Sequence, residues 1–243
     1  MYVLMGTNGG YCMKKIVGVS LIAVMLVCML LGCAKSPNES KYDLSEELRE
    51  CMIGDTILMG KYRQTRREKD GVDPIQWTVL AREDKKVLLI SSYIIDYQQY
   101  NSKNGEEEVE VAWTTSSIRQ WLNETFYENA FSSSEKNIIL QSTVYDAPFE
   151  EGVSRYSLDK IFLISAEEEL ITYKMYDRRT ESTYPTEYAS GLGATGECWL
   201  RDVWNDWGWN YSARVETERH GGMSSRDILD YNGVRPVMWV EVN

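Results

Sequence analysis

The chain has 243 residues, a length that suits one domain of ordinary size once an export segment is removed. Hydrophobic residues make up 43% and charged residues 26%, which is a globular rather than a disordered composition. The net charge is −11 and no basic stripe is present, so the composition excludes a nucleic-acid-binding protein.

The N-terminus has the pattern of an export signal. Lys14 and Lys15 precede an apolar run of about 16 residues, which suits a signal-peptide core and is short for a membrane-spanning helix. Met13 is the natural start of this segment, and the run ends in Leu-Leu-Gly-Cys at residues 30–33. These residues resemble the bacterial lipobox.

The lipobox resemblance implies that residues 1–33 are a lipoprotein signal peptide and that the Cys33 thiol is acylated with chains such as palmitate. The protein would then be lipid-anchored on the extracytoplasmic face of the cell membrane. An ordinary signal peptide or an uncleaved anchor is the alternative.

Two cysteines remain in the predicted domain. Cys51 and Cys198 form either one disulfide or two separate thiols, and the sequence leaves both alternatives open. The chain has one His and no CxxC spacing, so we predict no zinc site.

Residues 34–52 form a polar tether and a short helix (Tyr42–Met52), ahead of a domain predicted over residues 53–243. A strand follows between Gly54 and Gly60. Alternating apolar residues then predict a hairpin of Ile75–Ala81 and Lys86–Ser92. Residues 97–110 are a polar insertion that ends in an acidic run, which is typical of a solvated loop rather than of a cation site.

The stretch Trp113–Leu140 predicts a central helix pair. Thr114, Thr115 and Ser116 offer cap oxygens to the first helix, and Ser132 with Glu135 forms a capping box for the second. Phe126, Tyr127 and Phe131 lie between them as an aromatic cluster. A helix pair of this kind needs a sheet to cover its apolar faces.

The second half of the domain predicts strands with two short helical segments. We expect a short strand at residues 142–146, a loop at 147–159, a buried strand at Lys160–Ser165 and a capping box from Ser165 to Glu168. A short turn or helix at Thr186–Ser190 follows. The last three strands are Glu197–Asp202, Tyr211–Glu216 and Gly233–Val242. The order of elements predicts a single α+β domain with a mixed, mostly antiparallel sheet around the helix pair.

Several segments in this order resemble a bacterial domain-of-unknown-function family that is common in surface and secreted proteins. They include Gly54-Asp55-Thr56, Ile75–Leu80, Trp113–Phe131, Trp199-Leu200-Arg201 and Gly233–Val237. The family is similar to the C-type-lectin-like fold of sugar-binding lectins and sulfatase-modifying enzymes. The resemblance therefore implies a C-type-lectin-like fold and a surface location.

The stretch Asp202–Tyr211, predicted as a loop, is the candidate binding surface. Flat aromatic rings stack on sugars, and amides and carboxylates bind hydroxyl groups or calcium. The candidate ligand-binding residues are Trp204, Asn205, Asp206, Trp207, Trp209 and Tyr211. The triplet at 204–206 looks like the Trp-Asn-Asp of calcium-dependent lectins, but their partner loop is not evident here, so no cofactor is expected and calcium is the alternative.

Arg201 and Arg235 are interpreted as structural, paired with a buried carboxylate or with carbonyl groups. His220 has no partner signature for catalysis, and a Cys198–His220 pair is a weaker hypothesis than a structural Cys198. We therefore predict a non-catalytic domain that binds a glycan, a peptide or a cell-wall component. The alternatives are a sulfatase-modifying-type oxidoreductase or hydrolase, and a protein-interaction subunit of a surface assembly.

Overall fold

The structure is a computed structural model that describes residues 43–67, 71–102, 111–147, 155–168, 172, 184–206, 210–216 and 223–242. Helix α1 (Leu44–Glu50) begins at Asp43, whose carboxylate accepts a hydrogen bond from the Ser45 amide. Leu48 is buried in the main core, so α1 belongs to the domain rather than to a tether. Met52, the predicted last residue of this helix, follows it in the structure and is 69% exposed.

Four strands form an antiparallel sheet in the order β1-β2-β3-β11. They are β1 (Thr56–Arg63), β2 (Val72–Glu83), β3 (Lys86–Ser91) and β11 (Val237–Glu241). Glu83 pairs with Lys86 across the turn between β2 and β3, which confirms the predicted hairpin. The hairpin buries Trp77 and Val79 from β2, whereas in β3 five successive residues, Val87–Ser91, are buried.

Five strands form a second sheet in the order β4-β10-β7-β8-β9. They are β4 (Asp96–Gln99), β10 (Tyr231–Val234), β7 (Cys198–Asp206), β8 (Asn210–Glu216) and β9 (Met223–Asp227). Of the described pairs in this sheet, β10 with β7 is parallel and the others are antiparallel. Strand β9 was not predicted, because its sequence, Met-Ser-Ser-Arg-Asp, has no apolar alternation.

The predicted strand Gly233–Val242 is in fact two strands in different sheets. The chain leaves β10 at Val234 and enters β11 at Val237, so Arg235 and Pro236 make the crossing. Pro236 has no amide hydrogen to donate to a ladder. Its carbonyl accepts from the Ser91 amide, and Arg235 Nε donates to the Ser91 carbonyl, so both residues are fixed to the end of β3.

The central helix pair is confirmed. It consists of a 3₁₀ turn (Trp113–Thr115), α2 (Ser117–Trp121), a π-helical segment (Leu122–Phe126), α3 (Tyr127–Ala130) and α4 (Ser133–Ile138). Ser116 caps α2, and Ser132 with Glu135 forms the predicted capping box of α4. The aromatic cluster forms as expected, with the Phe126 and Phe131 ring centroids 5.8 Å apart.

Strands β5 (Ser142–Tyr145) and β6 (Tyr156–Asp159) form a separate two-stranded pair. The prediction of a loop over 147–159 is therefore wrong for Tyr156–Asp159, which form β6. Lys160–Ser165, predicted as a strand, is buried but makes only an isolated bridge from Phe162 to Val237 among the described residues. Helix α5 (Glu187–Leu192) begins at Thr186, which accepts from the Ala189 amide, so the predicted short helix is confirmed.

Two carboxylates tie the β5–β6 pair to the start of the helices. Asp159, fully buried, accepts from Trp113 Nε1 at 2.9 Å and pairs with Arg119 Nη2 at 2.7 Å. Asp146 accepts from the backbone amide and the hydroxyl of Thr114, at 2.9 and 3.1 Å. Because buried charges need such partners, these contacts fix the position of the small pair.

One core connects these parts. It joins Trp77 of the first sheet, Trp199 of the second sheet and Trp113 and Phe126 of the helical region. The architecture confirms a single α+β domain with mostly antiparallel strands. Among the described helices, none has the length and apolar character needed to cross a membrane.

Candidate functional site

A cavity of about 270 Å³ lies beside β5 and β7. Its wall is formed by residues 142–147, by the turn that follows Phe162, by Arg201 and Asp202 of β7, and by Trp239 of β11. The polar side chains that line it are Ser142, Thr143, Asp146, Ser165, Glu167, Glu168, Thr172, Arg201 and Asp202. Hydroxyl and carboxylate groups therefore dominate the polar part of the lining.

Arg201 holds this wall together. Its Nη1 and Nη2 atoms donate to the two carboxylate oxygens of Glu168, at 3.0 and 2.8 Å. Nε donates to the Tyr145 carbonyl and Nη1 also donates to the Leu163 carbonyl. Arg201 is 5% exposed, so the structural role predicted for it, as partner of a buried carboxylate and of carbonyl groups, is confirmed.

Glu168 has two tasks in this arrangement. It accepts from the Ser165 amide while the Ser165 hydroxyl accepts from the Glu168 amide, which is the predicted capping box. Burial by itself would raise the pKa of the Glu168 carboxyl, but the Arg201 guanidinium and the hydrogen bonds from Arg201 and Ser165 outweigh burial and lower it. Glu168 is therefore an ionised structural carboxylate at neutral pH.

Asp202 and Asp146 place two more carboxylates at the cavity. Asp202 is 4% exposed and accepts from the Ala166 amide at 2.7 Å. A parallel bridge joins Asp202 to Ala147, the residue after Asp146.

Two exposed tyrosines lie next to each other on the β5–β6 pair, beside the cavity. Tyr145, which lines the cavity, is 46% exposed, and its cross-strand partner Tyr156 is 57% exposed. Their ring centroids are 6.0 Å apart. Thr143 and Leu158, the next exposed pair on the same face, continue this surface. The cavity thus has polar walls and an aromatic rim, a combination found in small-molecule sites.

A sequence profile for a domain of unknown function, DUF6273, matches residues 84–242. The chain belongs to the DUF6273 family. All of the cavity residues lie within the matched region, whereas α1, β1 and the whole of β2 precede it. No curated protein and no solved structure matches the sequence.

The DUF6273 domain places four of the six predicted ligand-binding residues on two paired strands. Trp204, Asn205 and Asp206 end β7, and Tyr211 in β8 pairs with Asn205, so the prediction of a loop over 202–211 is wrong. The strand continues beyond the predicted end because it pairs with β8 up to the Asp206–Asn210 pair. Trp207 and Trp209, and the side chains of the other four residues, lie outside the described structure. Their role in binding stays a prediction.

The cavity and the β7–β8 pair share one strand. Arg201 and Asp202 are followed along β7 by Trp204 and Asn205, so Asn205 lies roughly 10 Å from Asp202 along the strand. Sequence reasoning singled out Arg201 and the Ser165–Glu168 capping box separately. It missed the cavity because the residues of β5 and Trp239 carry no motif.

Other predicted positions can be placed as well. Cys51 belongs to the main core and Cys198 to a smaller cluster with Ile94 and Ala189, and the described structure has no disulfide between them. Of the two alternatives for these cysteines, the described structure therefore has two separate thiols. Cys33, His220 and the acidic run of residues 106–110 lie outside the described residues. Within the described ranges, no three His, Cys, Asp or Glu side chains gather as metal ligands.

Proposed function

We propose that this DUF6273 protein is a lipid-anchored, extracytoplasmic binding protein that holds a glycan in the cavity beside β5 and β7. The observation that carries the proposal is the aromatic rim of Tyr145 and Tyr156 next to walls of carboxylates and hydroxyls. Sugar rings present C–H faces that pack on aromatic rings, and their hydroxyl groups donate to carboxylates. Of the three predicted ligand classes, a glycan uses both features.

The cavity size supports a ligand unit about as large as one sugar. Its volume of about 270 Å³ is near the lower end of the ~300–1,000 Å³ of small-molecule pockets. A longer glycan would extend from the cavity over Tyr145 and Tyr156, or along β7 toward the end of the β7–β8 pair. Asn205 and Asp206 would then contact the ligand, with calcium as an optional bridging ion.

The proposed anchor places the domain close to surface polymers. Nine residues lie between Cys33 and Asp43, the first described residue, and the ten Cα–Cα steps that join the two span at most about 35 Å. An acylated Cys33 would therefore hold the cavity within reach of glycans near the membrane. An anchored, exported domain is a natural capture module for such polymers.

The charge state of Glu168 favours a supporting role for this carboxylate over a role in hydrolysis. A glycosidase needs one carboxyl group with a raised pKa to protonate the leaving group. The pKa of Glu168 is lowered, and its oxygens are occupied by Arg201 and by the Ser165 amide. Glu168 is thus a support for the site rather than a general acid.

The test is a glycan-array screen of the full-length chain in mild detergent, followed by titration of each hit with calcium and with chelator. Tyr145→Ala removes the rim ring and keeps the backbone carbonyl that binds Arg201. We expect it to weaken binding about fivefold, which corresponds to roughly 1 kcal/mol of aromatic contact. Tyr184→Ala, a 63% exposed tyrosine outside the lining, is the matched control and should leave affinity unchanged.

The absence of any glycan hit would overturn the proposal. Equal losses in Tyr145→Ala and Tyr184→Ala would remove the cavity as the binding site. Hits lost in chelator would assign calcium to Asn205 and Asp206, and hits that ignore calcium would support stacking alone.

A further inference from the structure

Four cationic side chains lie close together at the end of β1 and in the loop that follows it. Residues 61–67 read Lys-Tyr-Arg-Gln-Thr-Arg-Arg, without an acidic residue, in a chain whose net charge is −11. Lys61 and Arg63 lie on the same side of β1, because successive side chains of a strand alternate. Arg66 and Arg67 are exposed. A local excess of positive charge on an acidic protein favours an anionic ligand.

Helix α5 holds two of these guanidinium groups side by side. The Arg63 guanidinium carbon lies 4.7 Å from the centroid of the Tyr188 ring. Arg66 Nε lies 3.5 Å from the Glu187 carbonyl, and a Cβ added to Gly191 would be 2.7 Å from the same nitrogen. Tyr188 and Gly191 are three positions apart, and residues at this spacing are neighbours on a helix, roughly 5–6 Å from each other. The Arg63 and Arg66 guanidinium groups therefore lie next to each other against α5.

Neither guanidinium group has a carboxylate partner among the described residues. Arg63 Nη2 donates to the Arg66 carbonyl and Arg66 Nε to the Glu187 carbonyl, which leaves the other donors of both groups available. The ion pairs within the described ranges involve other cations, namely Lys86, Arg119, Lys136, Arg201 and Arg226. Two neighbouring positive charges repel each other, so an anion that binds both of them relieves this repulsion.

The same segment contains two further polar atoms that are unsatisfied. Gln64 Nε2 and Thr65 Oγ1 are buried and have no hydrogen-bond partner within the part of the chain that the structure describes. Buried polar atoms are nearly always paired in folded proteins. The segment between Arg63 and Arg66 therefore has more hydrogen-bonding capacity than the chain itself uses.

We propose that Arg63 and Arg66 bind a phosphate monoester, and that Lys61 and Arg67 add attraction from the surrounding surface. A phosphate monoester has a charge of about −1.5 to −2 at neutral pH and three acceptor oxygens, which match two guanidinium forks. A carboxylate has a single charge and two oxygens, so one arginine already satisfies it. Four clustered cations are too local for the extended basic stripe that a nucleic acid requires.

This site is separate from the cavity in which we propose glycan binding. None of its four cationic residues lines that cavity. The two proposals can therefore fail independently, and the experiments below identify which of them has failed.

The first experiment compares ligands that differ in one substituent. Full-length protein in mild detergent is titrated calorimetrically with glucose 6-phosphate, with glucuronate and with glucose, which controls for any binding of the sugar ring in the cavity. We expect glucose 6-phosphate to bind at least about ten times tighter than glucuronate at low salt, and its affinity to fall at high salt because exposed charges are screened. Inorganic phosphate is the fourth ligand. Equal affinity for it identifies free phosphate as the source of the group, whereas weaker binding identifies a sugar phosphate.

The second experiment assigns the binding to the guanidinium pair. Arg66→Gln removes one exposed charge and its fork, and it should weaken glucose 6-phosphate binding about tenfold. Gly191→Ala keeps every charge but places a methyl group where Arg66 Nε lies, so it should weaken binding about threefold. Arg49→Gln on exposed α1 is the control for charge, and Ser190→Ala is the control for the change in α5. Both controls should leave the affinity unchanged.

Each contrary outcome has a definite meaning. Equal affinity for glucose 6-phosphate and glucuronate overturns the choice of a phosphate monoester. Equal losses in Arg66→Gln and Arg49→Gln show a general attraction by charge and overturn the site. Unchanged affinity in a Gly191→Ala variant that unfolds in urea like wild type overturns the paired arrangement. Tighter binding of a phosphoserine peptide than of both small phosphates overturns the proposal in favour of a protein ligand. None of these outcomes changes the result expected for the glycan cavity.

Discussion

Replacing Arg201 by Met removes four hydrogen bonds from the wall of the cavity. Two of them go to Glu168 and two to the carbonyls of Tyr145 and Leu163. Removing one partner of a buried ion pair costs about 3–5 kcal/mol, because the remaining charge has no counter-charge. The Glu168 side chain is 30% exposed, so water relieves part of that cost, and we expect a loss of about 3 kcal/mol in the free energy of unfolding.

Glu168→Gln breaks the pair from the other side with a nearly isosteric side chain. It keeps one acceptor oxygen for Arg201 but removes the negative charge, so one of the two hydrogen bonds from Arg201 is lost and the other becomes weaker. We expect a loss of about 2 kcal/mol. In the double variant Arg201→Met/Glu168→Gln, neither charge of the pair remains, so its loss should be smaller than the sum of the two single losses by at least about 1.5 kcal/mol.

Urea unfolding followed by tryptophan fluorescence measures these losses, since the chain has 8 Trp. The pH dependence adds a second criterion. The pKa of Glu168 is lower in the folded state than in the unfolded state. Its contribution to the free energy of unfolding is therefore fully present above the unfolded-state pKa of about 4.3 and is lost as the pH falls through the folded-state pKa. The difference between wild type and Glu168→Gln should therefore narrow near pH 3. Additive losses, or a difference that ignores pH, would refute the reasoning.

Three further predictions concern the rest of the chain. Gly60 has φ +68°, and a Cβ added to it would lie 2.7 Å from the Phe131 ring, whereas Gly54 has φ +97° and open space at the same position. Gly60→Ala should therefore lose about 1–2 kcal/mol more free energy of unfolding than Gly54→Ala, and equal losses would contradict the clash. Burial and the Asp96 carboxylate, which accepts from the Tyr62 hydroxyl, raise the pKa of Tyr62. Ionisation of this tyrosine in the unfolded state above about pH 10 therefore destabilises the fold, and Tyr62→Phe should lose less stability than wild type between pH 9 and 11; identical slopes of stability against pH would argue against it. Metabolic labelling with a fatty acid should disappear in Cys33→Ser, and labelling that persists would rule out the proposed anchor.

The parts of the fold that depend on neighbouring residues could be predicted from the sequence. The capping box of Ser132 and Glu135 and the tight turn between Glu83 and Lys86 are set by contacts a few residues apart. Such contacts leave a local pattern. The interruption between β10 and β11 at Pro236 also had a local signal, because proline does not fit the interior of a strand. This signal was not used to divide the predicted strand.

The candidate site could not be predicted in the same way. Glu168 was identified as a cap for Ser165, yet its second partner, Arg201, is 33 residues away along the chain. An arginine on a buried strand signals that it needs a carboxylate, but the sequence offers 37 acidic residues and no local pattern selects one. The pairing of Tyr145 with Tyr156 likewise depends on β6, which was predicted as part of a loop.

The most direct test of the central claim is to block the cavity. Thr143 is exposed and lines it, so Thr143→Trp places a large ring at the ligand position, while Thr56→Trp makes the same change on exposed β1. In urea unfolding, both variants should have the same free energy of unfolding as wild type, within about 0.5 kcal/mol. If the cavity binds the glycan, Thr143→Trp abolishes binding in a calorimetric titration and Thr56→Trp does not. Unchanged affinity in a folded Thr143→Trp variant would show that the glycan binds elsewhere.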